Sequence, residues 1–345
     1  MRTLMDYSRA RDWILAEKEF DSRYLGKCES VMCLGNGYMC IRSATEEQYL
    51  GEKRGFFVAG TFNKFDENEV TELPNAADVI QIHMEIGGEI FSLEKGKVKD
   101  YCRQLNLKTG ELCRKVRWVS PAGDEVEILF QRIVSMKDLH VAAQKITLTS
   151  VNHDVKLKLV PGIDGSVTNS GVQHFSEGDK RFYDGKYMQS CQTTTETKLN
   201  FVFTSACEFR ENGQPCEMQK LIVMDRRKIS CEYTKELKAG QTLVIEKISN
   251  VYTSRDQEHT GKTVQELQET GLCALKESSK KGYDTLAAES AAVWEERVWS
   301  RMPVVIESDN QILVGSPVTI SAAPQTGVTS PSSSQADSHG NWAPS

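Results

Sequence analysis

Apolar and polar residues alternate along most of this chain, from about residue 25 to residue 255. Across residues 79–86 the even positions are mostly apolar and the odd positions mostly polar. A period of two predicts a strand with one buried face. Gly87 and Gly88 follow, and a second apolar run covers residues 89–93. Two such runs joined by a pair of glycines predict a β-hairpin.

A second hairpin repeats this pattern. Leu112, Val116 and Trp118 lie in phase, although Arg114 interrupts the apolar face, and residues 121–124 (P-A-G-D) form a turn signal. Further strands are predicted where apolar residues recur, at 126–130, 144–149, 155–160, 199–204, 228–233 and 242–248. Many short strands without intervening helices are typical of a β-sandwich or barrel. The length of the span favours a large antiparallel sandwich, which we assign to residues 1–258.

The periodicity changes near His259. Apolar residues within 263–280 and within 283–301 recur at helical spacing, and Gly282 separates the two stretches. We therefore predict a helical linker of two helices over residues 259–302. After residue 311 the chain holds one charged residue and four of its nine prolines. Residues 312–345 are predicted to be a low-complexity, disordered tail.

Composition narrows the class of protein. A formal net charge of −6 disfavours binding to nucleic acid. No apolar run approaches the roughly 20 residues needed to cross a bilayer, and residues 1–20 lack the apolar core of a signal peptide. We therefore expect a cytoplasmic protein that binds neither membrane nor nucleic acid.

Ten cysteines occur in the chain, and in the cytoplasm they would remain reduced. Cys28, Cys33 and Cys40 cluster along the sequence, but there is no C-x-x-C pair and no neighbouring histidine. The spacing therefore favours small buried thiols over a zinc site. We assign no metal ligand.

One block of sequence carries a family resemblance. Residues 29–42 read E-S-V-M-C-L-G-N-G-Y-M-C-I-R, and Glu46 and Glu47 follow. This block resembles the E-S-x-x-x-x-G-N-G-Y-x-G-x-R…E-E motif of glycoside hydrolase family 65, which includes maltose, trehalose, kojibiose and nigerose phosphorylases. Other family-like elements occur in order at Trp13 with Phe20 and Asp21, and at residues 59–62, 73–75, 103–112, 132–135, 164–169 and 294–309. The resemblance extends from about residue 10 to residue 311.

Three residues depart from the family pattern. Cys40 stands where the family usually has glycine, Ser43 where many members have glycine, and Asn106 where the family has aspartate. We interpret these departures as local changes in packing.

Within the block, residues 35–37 (G-N-G) are suited to a turn with positive φ between two strands. No G-x-x-x-x-G-K-[ST] phosphate loop accompanies them. Arg42 with Glu46 and Glu47 fits either a buried ion pair or a solvated face, and the sequence leaves both open. An acid/base pair of Glu46 and Glu47 is disfavoured, because adjacent residues on one strand point to opposite faces.

The resemblance implies an inverting phosphorolysis, in which a disaccharide and phosphate give β-glucose 1-phosphate and a free sugar. One carboxylic acid protonates the departing oxygen and phosphate is the nucleophile. In the family these groups belong to an (α/α)₆ barrel beyond the linker, of which we expect only the start, at residues 303–311, in this sequence. We therefore assign no catalytic or cofactor-binding residue, and the substrate-binding residues stay unknown. No cofactor is expected beyond phosphate as co-substrate. Maltose is the first expected disaccharide.

Other interpretations remain open. The chain is expected to be inactive alone, with residues 312–345 arising from a frameshift or a fusion after Gln311. Alternatively it is a free-standing carbohydrate-binding or dimerisation sandwich, or a non-functional fragment. Trp118 lies in phase with apolar Val116, which favours core packing over a sugar-binding platform. A homodimer is one option for the complete enzyme.

Overall fold

A computed structural model describes residues 5–9, 12–66, 68 and 70–301. Nineteen strands and two α-helices occur in these residues, and every strand pairing is antiparallel. The predicted mainly β fold followed by two helical segments is confirmed. The predictions for residues 303–311 and 312–345, and for the absence of a barrel, lie outside the described residues.

The strands and helices are numbered in chain order. They are β1 (Met5–Asp6), β2 (Ile14–Glu17), α1 (Leu25–Val31), β3 (Leu34–Gly35), β4 (Met39–Ile41), β5 (Phe56–Val58), β6 (Ile82–Ile86), β7 (Glu89–Ile90), β8 (Lys97–Asn106), β9 (Glu111–Val119), β10 (Glu125–Val134), β11 (Val141–Ser150), β12 (Val155–Asp164), β13 (Asp179–Tyr183), β14 (Tyr187–Thr193), β15 (Asn200–Glu211), β16 (Gln214–Pro215), β17 (Gln219–Asp225), β18 (Lys228–Leu237), β19 (Thr242–Thr253) and α2 (Val264–Val293).

Three sheets form the sandwich. The largest has eleven strands in the order β1-β2-β8-β9-β10-β11-β19-β15-β14-β13, with β16 paired to β15. A five-stranded sheet has the order β17-β18-β12-β6-β7, and a three-stranded sheet joins β3, β4 and β5. Both predicted hairpins are present: Gly87 and Gly88, with φ of 62° and 86°, join β6 to β7, and β9 pairs with β10.

The main core lies between the large sheet and the two smaller ones. Trp118 and Phe130 of the large sheet belong to one buried cluster with Met84 and Leu159 of the five-stranded sheet. Trp118 is fully buried, and its ring meets Phe91 edge-on with centroids 5.3 Å apart. The prediction that Trp118 packs in the core is therefore confirmed.

Helix α1 corrects the prediction that β structure begins at residue 25. Leu25, Cys28 and Met32, three and four residues apart, are all buried, and this spacing places them on one helical face. Asp21 begins the preceding 3₁₀ turn by accepting a hydrogen bond from the Arg23 N–H. The helix has seven residues, too few for its period to stand out against the surrounding strands.

The second helix covers the outer face of the large sheet. Thr263 and Glu266 form a capping box at its start. Gly282 has φ 74° and ψ 170° and breaks the helix in two, as the sequence predicts. Leu275 and Tyr283 pack against the sheet, and a π-helix over Trp294–Trp299 follows. The domain boundary at residue 258 stays a prediction.

The contact between the π-helix and the sandwich can be tested at two glycines in successive hairpin turns. Gly110 has φ 69° and Gly123 has φ 98°, so alanine at either site costs about 1–2 kcal/mol of backbone strain. A Cβ at Gly110 would also overlap the indole nitrogen of buried Trp294, whereas a Cβ at Gly123 meets nothing within 4 Å. We expect Gly110→Ala to lower the free energy of unfolding by about 1–3 kcal/mol more than Gly123→Ala, measured by urea unfolding followed by tryptophan fluorescence. Equal losses would show that Trp294 does not pack against this turn.

Candidate functional site

The G-N-G turn is held by its asparagine. Gly37 has φ 87°, which confirms the predicted positive-φ turn between β3 and β4. The Asn36 side chain is buried, and its oxygen accepts hydrogen bonds from the N–H groups of Tyr38 and Met39, at 3.0 and 2.9 Å. Its amide nitrogen donates to the carbonyls of Ser135 and Leu139, at 2.7 and 2.9 Å. Asn36 therefore ties the turn to the family-like segment 132–135.

Two further family-like segments meet through asparagines. The N–H of Asn75 donates to the side-chain oxygen of Asn169 at 2.6 Å, and the Asn169 amide donates to the Leu73 carbonyl at 2.8 Å. The Asn75 amide in turn donates to the carbonyls of Arg54 and Thr168. Segments 73–75 and 164–169, far apart in sequence, therefore form one hydrogen-bonded contact.

The acidic pair of the block lies in a buried ionic cluster, defined here as Glu46, Glu47, Arg114 and Arg132. All four residues are at most 4% exposed. Arg114 binds both carboxylates, with Nη2 2.9 Å from Glu46 Oε2, and Arg132 binds the other oxygen of Glu46. Glu46 and Glu47 are thus buried and ion-paired, which excludes a solvated face for them. The predicted pairing with Arg42 is wrong, because Arg42 pairs with Glu29.

The backbone explains why both glutamates reach one arginine. Glu46 and Glu47 lie in a bend between β4 and β5, so the argument that adjacent strand residues point apart does not apply to them, and the expectation that they diverge is wrong. Arg42 instead lies 3.2 Å from Glu29 Oε1 and binds the Ser30 hydroxyl. The sequence missed Arg114 and Arg132 as partners, although a charged residue in phase with the core face of β9 was the available signal.

Charge in the ionic cluster fixes the protonation of Glu46. Burial alone would raise the pKa of Glu46, but Arg132 and Arg114 outweigh it and lower that pKa to about 2. The Gln144 amide adds a hydrogen bond to the same carboxylate at 3.3 Å, and the Arg114 guanidinium stacks 4.0 Å above the Phe130 ring. Glu46 is therefore ionised at neutral pH and has no proton to donate as a general acid.

The cavity beside the ionic cluster is too small for a substrate. A cavity lined by Glu46, Arg103, Arg114 and Arg132 has a volume of about 10 Å³. This volume is about enough for one water molecule, whereas small-molecule sites span roughly 300–1,000 Å³. The ionic cluster thus organises the sandwich and does not accommodate a sugar.

A second charged group extends the ionic cluster toward β2. The Arg103 guanidinium donates to Glu17 Oε2 at 2.7 Å and to the Ser43 carbonyl at 3.0 Å. The Tyr101 hydroxyl binds the same Glu17 oxygen at 2.8 Å. Arg103 belongs to family-like segment 103–112 and Ser43 follows the G-N-G-Y block, so this group joins two more of the family-like elements.

No group of three or more His, Cys, Asp or Glu side chains that could hold a metal ion occurs among the described residues. Cys28 is buried and donates to Glu17 Oε1 at 3.1 Å, whereas Cys33 is exposed. All ten cysteines are free thiols. None of the helices in the described part of the chain is long and apolar enough to span a membrane.

The linker is anchored by three tryptophans. Trp299 lies between Trp13 and Trp294, with ring centroids 4.6 and 5.6 Å away. The Trp299 indole donates to the Lys108 carbonyl at 2.8 Å. Residues at opposite ends of the family-like region therefore meet where the described chain ends.

Comparison with known proteins connects this geometry to a family. The sequence profile of "Glycosyl hydrolase family 65, N-terminal domain" matches residues 15–297. A kojibiose phosphorylase from Halothermothrix orenii is 40% identical over 299 residues, which cover 86% of this chain and 38% of that protein. An α,α-trehalose phosphorylase from Thermoanaerobacter brockii is 27% identical, and the match covers 88% of this chain and 41% of that protein.

A solved structure supports the fold. A putative kojibiose phosphorylase from the human microbiome superposes with a TM-score of 0.75 at 19% identity, covering 86% of this chain and 39% of that one. At this identity the likeness bears on the fold alone. The chain thus spans about two fifths of the length of the relatives that it matches.

Glu46→Gln tests the ionic cluster. Removing this charge leaves Arg132 and Arg114 poorly compensated in the interior, so we expect a loss of about 3–5 kcal/mol in the free energy of unfolding at pH 7. Because the folded pKa of about 2 lies below the usual 4.5, the stabilisation is complete above about pH 5 and is lost as the pH falls towards 2. The difference between wild type and variant should shrink over that range, measured by urea unfolding at several pH values.

The matched control is Glu127→Gln. Glu127 pairs with Arg117 at 3.1 Å on the surface, and both side chains are at least 40% exposed. Its loss should cost at most about 1 kcal/mol. Similar losses in the two variants, or a pH-independent difference for Glu46→Gln, would contradict the assignment of Glu46 as a buried carboxylate.

Proposed function

This chain belongs to glycosyl hydrolase family 65, and we propose that it forms the N-terminal β-sandwich and linker of an inverting disaccharide phosphorylase. The profile match over residues 15–297 carries this proposal, with support from the 40% identical kojibiose phosphorylase. In the reaction, the disaccharide and phosphate give β-glucose 1-phosphate and a free sugar. Because this relative is a kojibiose phosphorylase, we propose kojibiose as the first candidate substrate of the complete enzyme. Maltose, which was expected first from the sequence, stays an alternative prediction.

The chemistry of this reaction is assigned outside the described residues. Phosphorolysis needs a protonated carboxylic acid at the departing oxygen. Glu46, the carboxylate that the family motif makes most prominent, is ionised and enclosed by two arginines. The chain alone is therefore proposed to be inactive.

We assign the sandwich a positioning role. The Tyr283 hydroxyl of α2 donates to Glu111 at 2.8 Å, and the Ser290 hydroxyl accepts from the Met136 N–H at 3.0 Å. Together with the three tryptophans, these contacts fix the linker helices on the outer face of the large sheet. A rigid linker would hold whatever follows it in a defined orientation. We also propose a cytoplasmic location, in which the cysteines would remain reduced.

A domain exchange tests the proposed function. Residues 15–297 would replace the matching segment of the Halothermothrix orenii kojibiose phosphorylase. We expect the chimera to release glucose 1-phosphate from kojibiose and phosphate within about tenfold of the parent rate, because the linker contacts are preserved. The 345-residue chain should release none from kojibiose, nigerose, trehalose or maltose. The readout is phosphate-dependent formation of glucose 1-phosphate.

Calorimetric titration of the chain with the same disaccharides separates the alternatives. Binding with a dissociation constant below about 1 mM would favour the free-standing carbohydrate-binding module. A folded chimera that lacks phosphorolysis would contradict the positioning role, and turnover by the 345-residue chain alone would contradict the assignment of the chemistry elsewhere.

We further propose that β17 mediates homodimerisation. All seven residues of this edge strand are exposed, including the consecutive apolar residues Leu221, Ile222, Val223 and Met224. Edge strands normally avoid long exposed apolar runs, because the unpaired backbone of such an edge pairs with other chains. A two-fold axis at Ile222 would pair that residue with its own copy and Leu221 with Val223 of the second copy, so the strand is self-complementary in antiparallel register.

Ile222→Lys should abolish this association by placing two like charges opposite each other at the axis. We expect wild type to sediment as a dimer and the variant as a monomer at concentrations of tens of micromolar, measured by analytical ultracentrifugation. Leu50→Lys is the control, because Leu50 is a fully exposed apolar residue in a turn. A dimer in both variants would show that the interface lies elsewhere. A monomeric wild type would contradict the proposed dimer.

A further inference from the structure

Two cysteines lie at the β3–β4 hairpin, Cys40 within β4 and Cys33 just before β3. Leu34 pairs with Ile41, and Gly35 pairs with Cys40. Because directly paired residues of two strands point to the same face, Gly35 and Cys40 lie on one face, and Cys33 lies two residues before Gly35, just outside β3. The glycine opposite Cys40 presents no side chain, and a Cβ built there lies 3.7 Å from the Cys40 Cβ. No side chain of β3 therefore covers the Cys40 thiol, whereas on the other side Cys40 pairs with Phe57 of β5.

Exposure distinguishes this pair from the other cysteines. Cys33 is exposed and Cys40 is partly buried. Cys28, the third member of the sequence cluster, is buried, and burial raises its pKa to about 12. Cys273, on α2, is exposed and provides an internal reference thiol.

The surroundings of Cys33 favour a thiolate. Hydrogen bonding with the Cys40 thiol, opposed by burial and helped by the positive charge of Arg42, lowers the pKa of Cys33 to about 6. The same interaction raises the pKa of Cys40. Arg42 also pairs with Glu29 of α1 at 3.2 Å. The Glu29 carboxylate is therefore the anionic group that faces Arg42. Within the pair, Cys33 is therefore the thiol that ionises first.

We propose that Cys33 and Cys40 form a hydroperoxide-reactive dithiol, with Cys33 as the nucleophile and Cys40 as the resolving thiol. The Cys33 thiolate attacks the peroxide, so that an S–O bond forms, the O–O bond breaks and hydroxide leaves. Cys40 sulfur then attacks the sulfenic acid, forming the S–S bond and releasing water with the Cys40 proton. The two cysteines together lose two electrons, and the hydroxide takes up a proton from solvent, so that hydrogen peroxide is reduced to two waters. Exposed low-pKa cysteines beside a second cysteine are typical sites of this chemistry.

The crosslink requires the segment around Cys33 to move. Continuing the β3–β4 register would make Cys33 a diagonal neighbour of Cys40, roughly 7–8 Å away, whereas a disulfide needs Cα atoms within about 4.4–6.8 Å of each other. Cys33 lies between α1 and β3 and belongs to neither, so this approach does not require the β3–β4 pairing to break. Because the family motif has glycine at position 40, the resolving thiol is a feature of this chain, and the departure first interpreted as packing acquires a chemical role. The proposal is independent of the phosphorylase assignment.

The experiment uses the whole chain at pH 7 with hydrogen peroxide, followed by alkylation and peptide mass spectrometry over time. We expect a Cys33–Cys40 disulfide, with Cys33 consumed at least tenfold faster than Cys273. In Cys40→Ser, Cys33 should accumulate as a sulfenic acid that dimedone traps, and no disulfide should form. In Cys33→Ser, Cys40 should react at least tenfold more slowly than Cys33 does in wild type.

Cys273→Ser is the matched control and should leave the disulfide unchanged. Circular dichroism and urea unfolding establish that each variant is folded. If a variant fails to fold, the proposal is still tested by the ratio of the oxidation rates of Cys33 and Cys273 within the wild-type chain. Equal rates for these two cysteines would overturn the proposal, as would oxidation of Cys33 to sulfinic acid without any disulfide.

Discussion

The structure depends on one electrostatic constraint, the burial of the Arg114 guanidinium inside the sandwich. An unpaired charge in the interior costs several kcal/mol, so β9 can carry an arginine on its core face only if carboxylates reach it. Glu46 and Glu47 do so because the chain bends after β4 and lies across the large sheet. That path requires a tight turn before β4, which Asn36 and Gly37 supply. The family-like block of residues 29–47 and the buried Arg114 therefore depend on each other.

This constraint also explains why the most reactive-looking residues of the block do no acid–base chemistry. A carboxylic acid that protonates a leaving oxygen must hold its proton near neutral pH. The guanidinium groups of Arg132 and Arg114 instead lower the pKa of Glu46, so that it is ionised at neutral pH. The adjoining space, about 10 Å³, excludes a sugar. Charge pairing in the interior specifies where the 42–47 segment lies, and catalysis in the family has to be supplied by groups with a different environment.

Local signals made much of this fold predictable, and long-range contacts set the limit. Period two identified the hairpins around Gly87 and residues 121–124, and Gly282 marked the break between helices, because each feature is encoded within a few residues. The partners of Glu47 and Glu46 lie 67 and 86 residues away, at Arg114 and Arg132, and no local pattern connects them. Helix α1 was missed because seven residues give too few turns for a period. The Cys33–Cys40 cluster was visible in the sequence, but its chemistry depends on which face of the hairpin each thiol occupies.

The β3–β4 hairpin shows how one strand pair serves both packing and chemistry. Its inner face, with Leu34, Met39 and Ile41, is buried in the main core. One end is tied down through Asn36, and beyond the other the Ser43 N–H donates to the Glu29 carbonyl at 2.9 Å. Alternation along β4 then directs Cys40 outward, and Cys33, just before β3, is exposed. Because the inner face and both ends are fixed, a covalent change on the outer face has to be absorbed by the short segment around Cys33 and the Arg42–Glu29 pair, leaving the core undisturbed.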